Sequence, residues 1–180
     1  MIAFWPVSTW DPRFVGAIRD HYTGSRGAPP GKKLAWLIFE DARYRGVIGM
    51  GEPSFKLAAR RRLGIENARP LAHTVSCFIF RVEAVGASTA SAILDAWHPV
   101  ASMAWFGAYG WHPEHWETMI GDVACKNPGA CFRRAGYRSL GMTTGRSARR
   151  PAGSTHGPRV WSDATPKLVL YRGPLARLPL

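Results

Sequence analysis

The sequence predicts one mixed α/β domain: a central, mostly antiparallel sheet with helices on its faces, spanning residues 1–180 in the manner of a single layered core. Three observations predict it. Segments rich in β-branched and aromatic residues alternate with segments of helical spacing. Two of the strand-like segments are separated only by Asp41-Ala42-Arg43, which reads as a hairpin turn. A chain of 180 residues that is 46% hydrophobic can bury one substantial core, and it shows neither an internal repeat nor a dividing linker.

No element is predicted before Phe14. FVGAIRDHY (14–22) has apolar residues at helical spacing, and TGSRGAPPGKK after it is a Gly/Pro/Ser loop. LAWLIFE (34–40) and YRGVIGMG (44–51) are the hairpin strands, and Pro53 ends the pair. SFKLAARRRLG (54–64) reads as a helix stopped by Gly64. LAHTVSCFIFRV (71–82) reads as a central strand, and VEAVGAS then leads into a helix over 89–97 capped by Ser88 or Thr89. ASMAWFGAYGW (101–111) is open between strand and loop. WETMIGD (116–122) is a strand, ACFRRAGY (130–137) a short helix ending at Gly136 so that Tyr137 can begin a strand, and KLVLYRG (167–173) the closing strand. Residues 143–166 carry Gly, Pro, Ser and Arg and read as a mobile basic loop.

Charge is the strongest global signal. The net charge is +12, and from Lys126 to Arg177 Asp163 is the sole acid. Clustered arginines of this kind favour a polyanion, nucleic acid first. The candidate contacts are Arg60, Arg61 and Arg62, then Arg133 and Arg134, then Arg146, Arg149 and Arg150. No strongly amphipathic basic helix is present, so a membrane surface is not the expected partner. Apolar runs are broken before spanning length, and the N-terminal stretch lacks a secretory pattern. Three cysteines, Cys77, Cys125 and Cys131, fit free thiols in a reducing, cytoplasmic compartment.

Five local patterns could carry chemistry. The Val85-Gly86-Ala87-Ser88 junction between a strand and a helix offers backbone N–H groups to phosphate. GVIGMG (46–51) lies in strand sequence and reads as a tight or bulged strand. His21-Tyr22 at a helix end could transfer protons. His112-Pro-Glu-His115 lacks a metal-specifying spacing, so no metal site is expected. Trp105, Phe106, Tyr109 and Trp111 form either packed core or a surface on which a base could stack.

Read together, His21-Tyr22, the R-G-V-I-G strand, W-E-T-M-I, N-P-G-A-C-F-R-R-A-G-Y, L-G-M-T-T-G-R-S and the final Y-R-G-P-L resemble a superfamily. It joins the Mom-type DNA modification proteins of bacteriophages to Druantia-type defence and transposon-associated proteins, distant relatives of the GNAT acetyltransferases. The resemblance is sparse, runs from about His21 to Leu175, and is densest over Glu117–Ser147. It implies a GNAT-like fold with a cleft for acetyl-CoA or another acyl-CoA where two neighbouring strands splay apart. Val82, Val85, Gly86, Ala87, Ser88 and Ser91 would lie at the pyrophosphate, and Asn127 is placed with them as a cofactor contact. The R/Q-x-x-G-x-G/A element of ordinary acetyltransferases is missing there. His21 and Tyr22 match the family's His-Tyr pair, Asp122 its acidic residue seven before Gly129, and Glu117 the Glu of the defence-type motif. Phe132 stands where relatives have tyrosine, which shifts any acid role to Tyr22 or Tyr137. The implied function is transfer of an acyl or related small group to a DNA base, in a bacterial or phage-infected cell. The alternative is a non-catalytic DNA-binding module of the same fold with a defence or transposon-associated role.

Overall fold

Period-two burial sets the architecture. In Lys33–Glu40 (β2), Trp36 and Ile38 pack on one face of the sheet and Ala35 and Leu37 on the other. Arg43–Gly51 (β3) returns antiparallel, with Glu40 opposite Arg43. The loop is therefore two residues, Asp41 and Ala42, both at positive φ (49° and 62°), as the twist of a tight hairpin requires. The computed structural model describes residues 1–19, 28–53, 57–83, 88–121, 127–143 and 166–174.

The remaining strands are Ile2–Val7 (β1), Thr74–Val82 (β4), His115–Gly121 (β5), Arg138–Met142 (β6) and Lys167–Arg172 (β7). They form one seven-stranded sheet in the order β1-β2-β3-β4-β5-β7-β6. Every pairing is antiparallel except β4 with β5, which are parallel. The fold is the mixed α/β class expected, with helices on both faces. Ala90–Tyr109 (α2) and Ala130–Arg134 (α3) cover one face through Trp97, Trp105 and Phe132. Pro12–Arg19 (α1) and a 3-10 helix at Ala58–Leu63 cover the other.

Four elements differ from the sequence reading. β1 was not expected; as an edge strand it accommodates Pro6, which has no N–H to give a ladder. The helix expected over 54–64 is a 3-10 helix from Ala58, with Gly64 at φ 76° capping it as foreseen, and 54–56 lie outside the described residues. The helix expected over 130–137 ends at Arg134, and the strand after it begins at Arg138.

The largest difference is α2, which runs to Tyr109 instead of stopping at 97 and absorbs the stretch left open between strand and loop. Leu94, Trp97, Ala101 and Trp105 repeat at helical spacing and are fully buried. That burial overrides Pro99 on the exposed side. Thr89 caps the start by accepting from the Ala92 N–H at 3.2 Å, and Gly110 (φ 81°) ends the helix. Trp97 meets Trp36 and Trp116 edge-to-face at 5.7 and 5.5 Å, tying helix to sheet.

Pro99 gains nothing from its ring inside the helix. A Pro99→Ala variant is expected to raise unfolding free energy by about 1–2 kcal/mol, the helix gain less the entropy returned to the unfolded chain. Urea unfolding of both proteins checks this.

Candidate functional site

β4 and β5 pair only from Thr74 opposite His115 to Cys77 opposite Thr118. Beyond that point β4 stays with β3 as far as Val82 opposite Gly46, while β5 follows β7 as far as Gly121 opposite Lys167. Two neighbouring strands of one sheet thus part and leave a slot. The parting is fixed on both sides by ladders that continue.

A bulge marks the place. Gly49 lies opposite Ile79 and Met50 opposite Cys77, so Phe78 is the extra residue on β4. Phe78 and Ile79 consequently pack on the α1 face, whereas Cys77 and Phe80 belong to the α2 face. Gly49 makes the bulge possible: a Cβ there would stand 2.7 Å from the Phe78 ring and 2.8 Å from Phe14. The glycine-rich strand is therefore bulged, as its sequence suggested, and β2–β3 shifts register as well between Ile38 and Phe39.

The slot encloses about 150 Å³. Phe78, Ile79 and Phe80 form its β4 wall, and Met119 and Ile120 its β5 wall. At the vertex the Thr118 hydroxyl donates to the Cys77 carbonyl at 2.9 Å, so a side chain takes over where the ladder stops. Gly129, Cys131 and Phe132 close the back. Gly129 has φ 76°, and a Cβ on it would lie 2.7 Å from Leu170 and 2.9 Å from Ile120. Beyond the vertex, among the described residues, the backbone groups of β4 that point away from β3 have no strand to meet.

Behind Phe132 lies a buried polar chain. Arg172 Nη1 is 2.7 Å from His98 Nδ1, and His98 Nε2 is 2.9 Å from the Tyr137 hydroxyl. Guanidinium can only donate, so Nδ1 accepts and Nε2 carries the proton toward Tyr137. Burial, reinforced by the Arg172 charge, lowers the His98 pKa to about 3, so the ring stays neutral. Burial likewise holds the Tyr137 hydroxyl well above its ordinary value. Tyr137 is one ring removed from the slot: its ring contacts Phe132 at 5.2 Å, and it is not part of the slot wall.

The structure separates the residues expected to act together. Glu117 is not a free acid–base group: alternation along β5 turns it away from Thr118, and both its oxygens bind Arg60, Nε and Nη2 each at 2.7 Å. Arg60 also donates to the Ala68 carbonyl at 3.0 Å and is fully buried, so it does not reach a nucleic-acid surface. In the same arginine run Arg61 and Arg62 are exposed, as are Arg133 and Arg134 on α3. Arg133 donates to Asn127 Oδ1 and to the Pro128 carbonyl, which occupies the Asn127 side chain expected at a cofactor. His21, Tyr22, Asp122, Val85, Gly86, Ala87, Arg146, Arg149 and Arg150 lie outside the described residues. Asp122 directly follows Gly121, where β5 ends.

The junction itself carries an internal anion. Ser88 N–H donates to Glu40 Oε1 at 2.9 Å, and Arg45 Nη1 binds Glu40 Oε2 at 2.8 Å. Hydrogen bonding from Ser88, with the Arg45 guanidinium, keeps the Glu40 carboxyl below its ordinary pKa. One amide expected at a pyrophosphate is thus already engaged. The Ser91 hydroxyl is engaged too, with Thr89 at 3.0 Å, and Val82 ends β4 packed against the core. His112 bonds Ser102 at 3.1 Å while His115 bonds the Tyr171 hydroxyl at 2.6 Å, so this pair is divided between two surroundings. Trp105 is buried, Tyr109 bonds the Lys33 backbone at the start of β2, Phe106 stacks on His112 and Trp111 on His73, and none of the four lines the slot.

No protein-family model and no curated protein matches the chain. Among solved structures, the chain is similar to a crystal structure of the aminoglycoside N-acetyltransferase AAC(6')-Ib11, at 10% identity and a TM-score of 0.46, over 80% of this chain and 68% of that one. Among the described residues no helix is long and apolar enough to cross a membrane.

Two outcomes test this electrostatic picture. Removing one partner of the buried pair, as in Glu117→Gln or Arg60→Met, is expected to lower stability by about 3–5 kcal/mol, and replacing both by apolar residues to recover much of it. The lowered pKa values of His98 and Glu40 mean the unfolded chain binds more protons at low pH, so stability falls as pH drops. The His98 part is intact above the ordinary histidine value of 6.5 and is lost toward about 3, and the Glu40 part starts to go below 4.5. Urea midpoints across this range should show a shallower acid slope in His98→Gln than in the parent chain.

Proposed function

We propose that the protein is an acyltransferase that holds an acyl thioester in the β4–β5 slot and delivers the acyl group to an amine of a DNA base. The observation that carries the reading is the parting of β4 from β5 after Cys77 and Thr118, with a bulge at Phe78 beside it. An extended donor with amide groups along it, as an acyl-pantetheine arm has, can pair with the edge of β4 that faces away from β3 as an added strand would. A bulge re-aims backbone groups, and an N–H pointed at the acyl carbonyl would stabilise the oxyanion formed on attack. The amine nitrogen bonds to the acyl carbon, the carbon–sulfur bond breaks, and the amine's proton ends on the departing thiol.

The residues present fit the acyl end of such a donor better than its phosphate end. The slot wall is apolar with Thr118 at its tip, but the Ser88 amide already serves Glu40. Donor phosphates would therefore rest on other groups. Asp122, His21 and Tyr22 remain the proposed proton-transfer residues, and Tyr137 supports the slot from behind Phe132. The polyanionic acceptor is supported by the net charge of +12 and by exposed Arg61, Arg62, Arg133 and Arg134. A base inside a duplex is shielded, so the acceptor would be flipped out or single-stranded. The second reading, a DNA-binding module without catalysis, is favoured by Phe132, which has no proton to give, and by the engaged Ser88 amide.

Nucleoside mass spectrometry of DNA incubated with the protein and acyl-CoA tests the reading. A base carrying the acyl mass is expected from the parent chain and a loss of about 10²–10⁴-fold in rate from Asp122→Asn, with DNA affinity little changed. Unmodified DNA, bound with a salt slope of roughly −0.9 per phosphate contact, would instead select the non-catalytic reading.

A further inference from the structure

Ile120 lines two cavities. One is the slot; the other, about 300 Å³, shares only Ile120 with it and is lined by Met142 and Leu168 at the ends of β6 and β7. Its apolar wall is Ile120, Leu168, Pro128 and Met142. The two polar side chains there, Arg133 and Asn127, bind each other, and Arg133 also donates to the Pro128 carbonyl at 2.9 Å. What the cavity offers a ligand is therefore mainly hydrocarbon. Met142 stands at its mouth with 52% of its surface exposed, an apolar side chain with no covering element among the described residues. The slot alone, at about 150 Å³ and already narrowed by three phenylalanine rings, leaves little room beyond the vertex.

We infer that the second cavity is an acyl-chain subsite, so that the donor carries a chain longer than acetyl whose tail passes Ile120 and lies between Leu168, Pro128 and Met142. The inference rests on the reading of the slot as an acyl-donor site and names its substrate class. Ile120 is then the residue that sets chain length: it lines both cavities, and a larger side chain there would close the passage the tail takes. Gly129 keeps that passage as it is, because a Cβ there would press on Ile120 Cδ1 at 2.9 Å.

Binding by the full chain, read by calorimetry with CoA, acetyl-CoA and octanoyl-CoA, tests it without reference to turnover. Each methylene taken from water is worth roughly fourfold in Kd, so octanoyl-CoA should bind at least ten times tighter than acetyl-CoA. Ile120→Trp should abolish that ratio. Met142→Glu, at an exposed position that tolerates charge, should reduce it through the mouth alone, and it serves if the tryptophan variant does not fold. Equal affinity for acetyl-CoA and octanoyl-CoA, or a ratio untouched by both variants, would overturn the chain subsite while leaving the slot assignment standing. Failure of all three compounds to bind would overturn the slot assignment, and the subsite with it.

Discussion

The short parallel pairing of β4 with β5 is the constraint on which the rest depends. Four register pairs join the strands, and then each follows its other neighbour. A sheet would ordinarily close such a gap, since every unpaired backbone group away from water is costly. Here closure is blocked from both sides. β4 keeps its ladder with β3 past the Phe78 bulge, and the continuous β5–β7 ladder holds β5. Thr118 ends the shared ladder through its hydroxyl, and Phe132 and Gly129 back the opening. The space is thus a product of strand register and is built into the core.

The two faces of the sheet stabilise that geometry differently. On the α2 face the Trp36–Trp97–Trp116 cluster is apolar, with His98 kept neutral between Arg172 and Tyr137. On the other face the Arg60–Glu117 pair clamps the 3-10 helix to β5 one residue before Thr118. A buried bidentate pair is not a large net stabiliser, but it punishes any other arrangement, because either partner alone would be a stranded charge. Its effect is to fix where β5 lies just ahead of the slot.

Much of the sheet was legible in the sequence because its signals are local. The β2–β3 hairpin, β4 and β7 are continuous apolar or β-branched runs, and Gly64 caps its helix as glycine in that position should. β1 was not legible: an edge strand with Pro6 and exposed Trp5 lacks a clean alternation. The length of α2 was hidden by Pro99, whose local preference is outweighed by the burial of Trp97, Ala101 and Trp105. The slot was legible only through the resemblance, since register between strands forty residues apart leaves no local trace. Arg60 and Glu117 show the same limit. Three consecutive arginines look alike in sequence, yet the middle of a strand supplies a buried acid to the first of them alone. A lone Glu between Trp116 and Thr118 in a central strand was the available hint that a buried cation must face it.

Hydrogen exchange resolved to single amides tests the central claim most directly, because the claim concerns backbone groups of one strand edge. With saturating butyryl-CoA, those amides of Phe78–Val82 that point away from β3 should exchange more slowly than in the free protein, while those of β1, β2 and α1 stay as they were. Unchanged exchange across Phe78–Val82, in a protein that demonstrably binds the compound, would contradict the account: the donor would then lie elsewhere, and the parted strands would be only a feature of the fold.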